Sequence, residues 1–70
     1  MNRYAVSYID WYNYNLTTKI VNAFSPREAI LQWAAHLPDP MDTTDLPENM
    51  EEIKQWFFNS DSMIHAELIP

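Results

Sequence analysis

Neither glycine nor cysteine occurs anywhere in this 70-residue chain. Without cysteine there is no disulfide framework, no thiolate metal site and no thiol nucleophile. Without glycine the chain lacks the pliant backbone loops that cradle nucleotide phosphates, and any left-handed residue must carry a side chain. Positive charge is scarce as well: four Lys and Arg stand against ten Asp and Glu, a formal net charge of −6. That balance argues against direct contact with nucleic acid, where cations must neutralise phosphates. No apolar run exceeds three residues, so no stretch predicts a membrane-spanning helix. The first residues also lack the apolar centre of an export signal, and a cytoplasmic setting is the expectation.

What the chain has in abundance is aromatic surface, with three Trp, four Tyr and three Phe. A domain this small buries only about 60% of the surface of its unfolded chain. Dense aromatic packing or self-association must therefore supply the stability that crosslinks cannot, and one small domain over residues 1–70 is expected.

Residues 3–12 and 16–24 are rich in β-branched and aromatic side chains, as a pleated surface requires. They predict a hairpin closed by residues 13–15, with Asn13 and Asn15 as the candidates for positive φ. Ser25, Pro26 and Glu28 then form an N-cap, a first-turn proline and the far member of a capping box. Ala29, Ile30, Trp33, Ala34 and Leu37 recur at helical spacing, and Pro38 and Pro40 end the segment. A second helix is expected from Asp45 as cap, with Pro47 in its first turn and Glu48 three residues after the cap. Leu46, Met50, Ile53 and Phe57 make its stripe, Trp56 borders it, and Phe58 points elsewhere. Residues 63–69 predict a last strand. The order β-β-α-α-β implies an α+β domain of two layers, a three-stranded sheet with both helices on one face. Which strand the last one joins is left open.

Candidate chemistry is thin. His36 and His65 are the only histidines, too few for a zinc site. Asp39, Asp42 and Asp45 stand three apart rather than at alternate positions and have no glycine among them, unlike a calcium loop. Ser25 is accounted for as a cap. No cofactor and no enzymatic activity are expected.

Charge is the sharper signal. Asp39, Asp42, Asp45, Glu48, Glu51 and Glu52 all fall within residues 38–52, and no Lys or Arg lies between Arg27 and Lys54. Outside that stretch Asp10, Glu28, Asp61 and Glu67 are balanced by Arg3, Lys19, Arg27 and Lys54, so the whole net charge is gathered there. Mixed signs are the rule on ordinary surfaces, and a single-sign field steers a basic partner. Asp39, Asp42, Glu48, Glu51 and Glu52 are the acidic candidates for partner binding. Trp11, Tyr12 and Tyr14 at the hairpin tip, with Trp56 and Phe58, are the aromatic ones, since Tyr and Trp commonly anchor interfaces. Both faces of the hairpin are partly apolar although two helices can cover only one, which opens an alternative: an interaction module acting through the uncovered sheet face, with a homodimer among its forms.

The hairpin running into a capped helix at "VNAFSPREAILQWAAHL" (21–37), in a small acidic aromatic-rich chain, resembles bacteriophage-encoded proteins that bind and disable host proteins. That broad class includes inhibitors of host RNA polymerase, antitoxins and anti-CRISPR proteins. The resemblance implies a binding-only antagonist in the host bacterium's cytoplasm, a DNA mimic whose carboxylates occupy a basic, nucleic-acid-binding surface of a host protein.

Overall fold

A computed structural model describes residues 1–70 and has the expected element order: β1 (Asn2–Asp10), β2 (Asn15–Ala23), α1 (Pro26–Ala35), α2 (Met50–Phe58) and β3 (Ser62–Ile69). The sheet order is β2-β1-β3 and both pairings are antiparallel, so β3 joins β1 and makes it the central strand. Register fixes the two faces. Tyr4, Val6 and Tyr8 of β1 stand in rows with Val21, Lys19 and Thr17 on one side and with Leu68, Ala66 and Ile64 on the other. This is the face the helices cover. Ala5, Ser7 and Ile9 belong to the opposite, open face.

The strands end earlier than composition suggests. β1 stops at Asp10 rather than Tyr12, and β2 begins at Asn15, leaving Trp11–Tyr14 as a four-residue loop. Asp10 organises that loop. Its Oδ1 accepts the backbone N–H groups of Tyr12 (3.0 Å) and Asn13 (3.3 Å), and its Oδ2 accepts the Asn13 amide at 2.8 Å. The left-handed residue is neither asparagine but Tyr14 between them, at φ 57°. A bulky residue there costs about 1–2 kcal/mol, which neither expected asparagine absorbs. The second left-handed residue, Asp61 (φ 59°), turns the chain from α2 into β3.

In α1 the Ser25 hydroxyl accepts the Glu28 backbone N–H at 3.1 Å. The reciprocal half of the box is not made, since the Glu28 carboxylate accepts Gln32 Nε2 one turn on. The start of α2 differs from expectation. Its cap is Asn49, not Asp45: Asn49 Oδ1 accepts the Glu52 N–H at 2.9 Å and Asn49 Nδ2 donates to Glu52 Oε1, also at 2.9 Å. The reason is tertiary. Arg27 donates to the carbonyls of Pro47 (2.8 Å) and Leu46 (3.2 Å), which holds that segment non-helical until Asn49. Asp42 makes a local turn instead, accepting the Thr44 N–H and hydroxyl.

These contacts also set direction. α1 starts beside the end of β2. The same end of the molecule holds the start of α2, through Arg27, while α2 finishes against the hairpin tip, where Phe58 meets Trp11. The two helices therefore run the same way, and residues 36–49 form a strap returning from the end of α1 to the start of α2. Met41 pins it midway by donating its N–H to the Ala34 carbonyl.

Between the layers, Trp33, Phe57, Ile30, Ile53 and Val6 are fully enclosed, and each such side chain contributes about 1.5–3 kcal/mol. Tyr8, Trp33 and Phe57 form one aromatic group with centroids 4.8–6.4 Å apart, and Trp56 meets Phe57 edge-on at 5.0 Å. Leu46 joins this core from the strap rather than from the helix. Burial pushes the Tyr8 hydroxyl above the ordinary phenol range; the Ser62 hydroxyl opposes the shift and the Asp10 charge adds to it.

Candidate interaction surfaces

The open face of the sheet carries an apolar strip. Ile9 pairs with Leu16 on one side and Met63 on the other, so one row crosses all three strands, and Ile20 lies beside Ala5 two rows along. Leu16 is 70% exposed, Ile20 56% and Met63 52%, so nothing in the chain covers them. Alternation along β1 and β2 builds the strip: among the residues that leave the core at every second position Ala5, Ile9, Leu16 and Ile20 are apolar, while Ser7 and Thr18, whose hydroxyls lie 3.3 Å apart, make a polar row between them. The sequence shows both faces as apolar but does not single out Ile9, Leu16, Ile20 and Met63. The signal was their phase opposite to Tyr4, Val6 and Tyr8, which becomes readable only once the covered face is known.

The expected aromatic residues divide. Trp11 and Phe58 stack edge-on at 5.6 Å, both partly exposed, and extend the apolar strip around the hairpin end. Tyr12 and Tyr14 project freely from the same loop. Trp56 does not join them: it is half-buried and packs against the core through Phe57.

The carboxylates lie on the other layer. Asp39, Asp42 and Asp45 are spaced along the strap, Glu48 precedes α2, and Glu51 and Glu52 occupy its first turn, all exposed. Only Glu48 has a cation at salt-bridge distance, 3.8 Å from Arg27 Nε. Hydrogen bonds from the Thr44 hydroxyl and N–H hold the Asp42 carboxyl below its usual range. Glu52 is tied to Asn49, and both first-turn acids sit at a positive helix end. Because the strap runs the length of α1, these charges are spread along the helical layer rather than gathered at one corner. Glu51 alone comes near the aromatics, across an open groove of about 500 Å³ between α2 and β3 that Lys54, Phe58, Met63 and His65 also line.

The histidines stand apart. His36 closes α1, with its Nδ1 2.7 Å from the Gln32 carbonyl, and His65 Nε2 is 2.7 Å from Glu67 on the open face. No group of three or more His, Asp or Glu gathers as a metal cage, and no helix is long and apolar enough to cross a membrane. Comparison with protein-family models, with curated proteins and with solved structures finds no match to this chain.

Proposed function

We propose that the chain works by binding another protein through the open face of its sheet, with no chemistry of its own. One observation carries this: the Leu16–Ile9–Met63 row spans every strand on a face left bare, and Trp11 and Phe58 continue it. Apolar and aromatic residues gathered in this way are the usual centre of a protein interface. The face is close to neutral, with Arg3, Glu67 and His65 as its titratable members, so its binding is driven by burial rather than by field.

A second reading has its own support. Five of the six strap and first-turn carboxylates have no cationic partner, which fits an antagonist, phage-encoded on the resemblance above, whose Asp39, Asp42, Glu48, Glu51 and Glu52 cover a basic nucleic-acid-binding surface on a host protein. Quantitative capture from a lysate of the source cells separates the two. The baits are the native chain, an open-face variant (Leu16→Thr with Ile20→Thr) and a neutralised variant (Asp39→Asn, Asp42→Asn, Glu51→Gln, Glu52→Gln). Open-face binding holds from about 50 to about 300 mM salt, is lost in the first variant and kept in the second. Binding that collapses with salt and with neutralisation, yet survives the Thr substitutions, overturns the first reading in favour of the second.

A further inference from the structure

The sheet has two free edges, β2 and β3, and they are not equivalent. Consider each strand meeting its own copy antiparallel about a two-fold axis. For β2 the middle residue is Lys19, the only charged residue of the strand. Centred pairing sets it against the partner's Lys19, and like charges directly opposite are destabilising. A lysine on an exposed edge is a common guard against such pairing.

The β3 edge behaves in the opposite way. With the axis at Ala66, Met63 faces the partner's Ile69, Ile64 faces the partner's Leu68, and His65 faces the partner's Glu67, each pair repeated by symmetry. Positions 63–69 all find a complement, with Ala66 facing its own copy. On the open face two apolar pairs flank two His–Glu pairs, and on the helix side apolar meets apolar.

Leu68 is the telling residue. It lies on the covered side of the sheet, in a row with buried Tyr4 and in phase with buried Ile64 and Ala66, yet it is 53% exposed. The helical layer stops short of it. A second copy brings the partner's Leu68 across from Ile64, beside the groove that Phe58 and Met63 line. The area both chains leave bare at this edge is thereby filled by the same residue from each.

We propose that two copies of this chain pair antiparallel along β3, joining their sheets into one of six strands with β2 at each outer edge. Association of this kind stabilises a domain with a twelve-residue core and no crosslinks. Its backbone pairing uses the free edge and takes only Met63 from the Leu16–Ile9–Met63 row, so it stands whether or not the rest of the open face binds a different protein. It also sets the two open faces side by side as one surface.

The test is sedimentation equilibrium from about 1 μM to about 1 mM, with urea unfolding to confirm that each variant folds. The native chain moves from 8.3 kDa toward twice that mass. His65→Glu places two carboxylates opposite each other at two symmetric sites and weakens the dimer roughly tenfold or more. Glu67→Lys, which sets an ammonium against the partner's imidazole, weakens it too. The chain carrying both substitutions sets an ammonium opposite a carboxylate at both sites and recovers near-native affinity. Lys19→Glu leaves the constant unchanged. A chain that stays monomeric to 1 mM, a double variant no tighter than the singles, or a dimer that responds only at Lys19 overturns the proposal. So does a monomer that instead takes up an extended peptide along β3.

Discussion

At the scale of single residues, Asn49 shows how a local rule and a tertiary contact compete. Two successive signals fit an N-cap here, Asp45 with Glu48 and Asn49 with Glu52, four residues apart. Local chemistry favours neither, and the first also brings a proline suited to a first turn. The outcome is set by Arg27, far off in sequence, whose guanidinium takes the Leu46 and Pro47 carbonyls. Asn49→Ala should then cost about 1 kcal/mol in urea unfolding, the usual cost of losing a cap. Asp45→Ala, at an exposed site with no capping role, should stay within about 0.5 kcal/mol. Equal losses at the two positions would show that Asp45 caps after all. Ser25 was legible in advance because its cap, its proline and its helix are all adjacent in sequence. Trp33 marks a different limit: the sequence places it in the core but does not show that its indole N–H finds no acceptor there, which leaves an unmet donor costing about 1–3 kcal/mol.

At the scale of elements, the hairpin depends on one carboxylate. The Asn13 side-chain amide, with backbone N–H groups of Asn13 and Tyr12, holds the Asp10 carboxyl below its ordinary range. A lowered folded-state value means that folding favours the charged form. Its stabilisation is complete above the ordinary carboxylate value near pH ~4 and is lost as pH falls through the lowered one. The urea midpoint of Asp10→Ala should therefore trail the native chain by a constant margin from neutral pH down to about 5, and the margin should close below about 4. A margin that widens in acid would contradict this role. Strand and helix identities were readable because period-2 and period-3.6 patterns are local. The common direction of α1 and α2 was not, since it depends on the path of the 36–49 strap, and that path is set by Met41, Leu46 and Arg27 meeting partners elsewhere in the chain. The neighbour of β3 was unreadable for the same reason.

At the scale of the whole molecule, the chain has two unlike sides. The strap and the first turn of α2 carry the excess acid over the helical layer, and the sheet presents a nearly neutral apolar face. The sequence revealed the segregation of charge but not its separation from the aromatics. Of the ten residues expected to bind a partner, Trp11, Tyr12, Tyr14 and Phe58 group at the hairpin end, the five acids follow the strap and the first turn of α2 with only Glu51 reaching the groove beside Phe58, and Trp56 serves the core. Four methionines, each a reactive probe of its own surroundings, are distributed over these surfaces: Met63 on the open face, Met41 on the strap, Met50 at the start of α2 and Met1 at the terminus. Hydroxyl-radical footprinting of the chain, free and with its captured protein partner bound, reads the surfaces in one experiment. If the open face is the working surface, oxidation of Met63, Trp11 and Phe58 falls on binding while Met41 and Met50 are unchanged. Protection of Met41 and Met50 with Met63 left reactive would place the partner on the acidic layer and contradict the account.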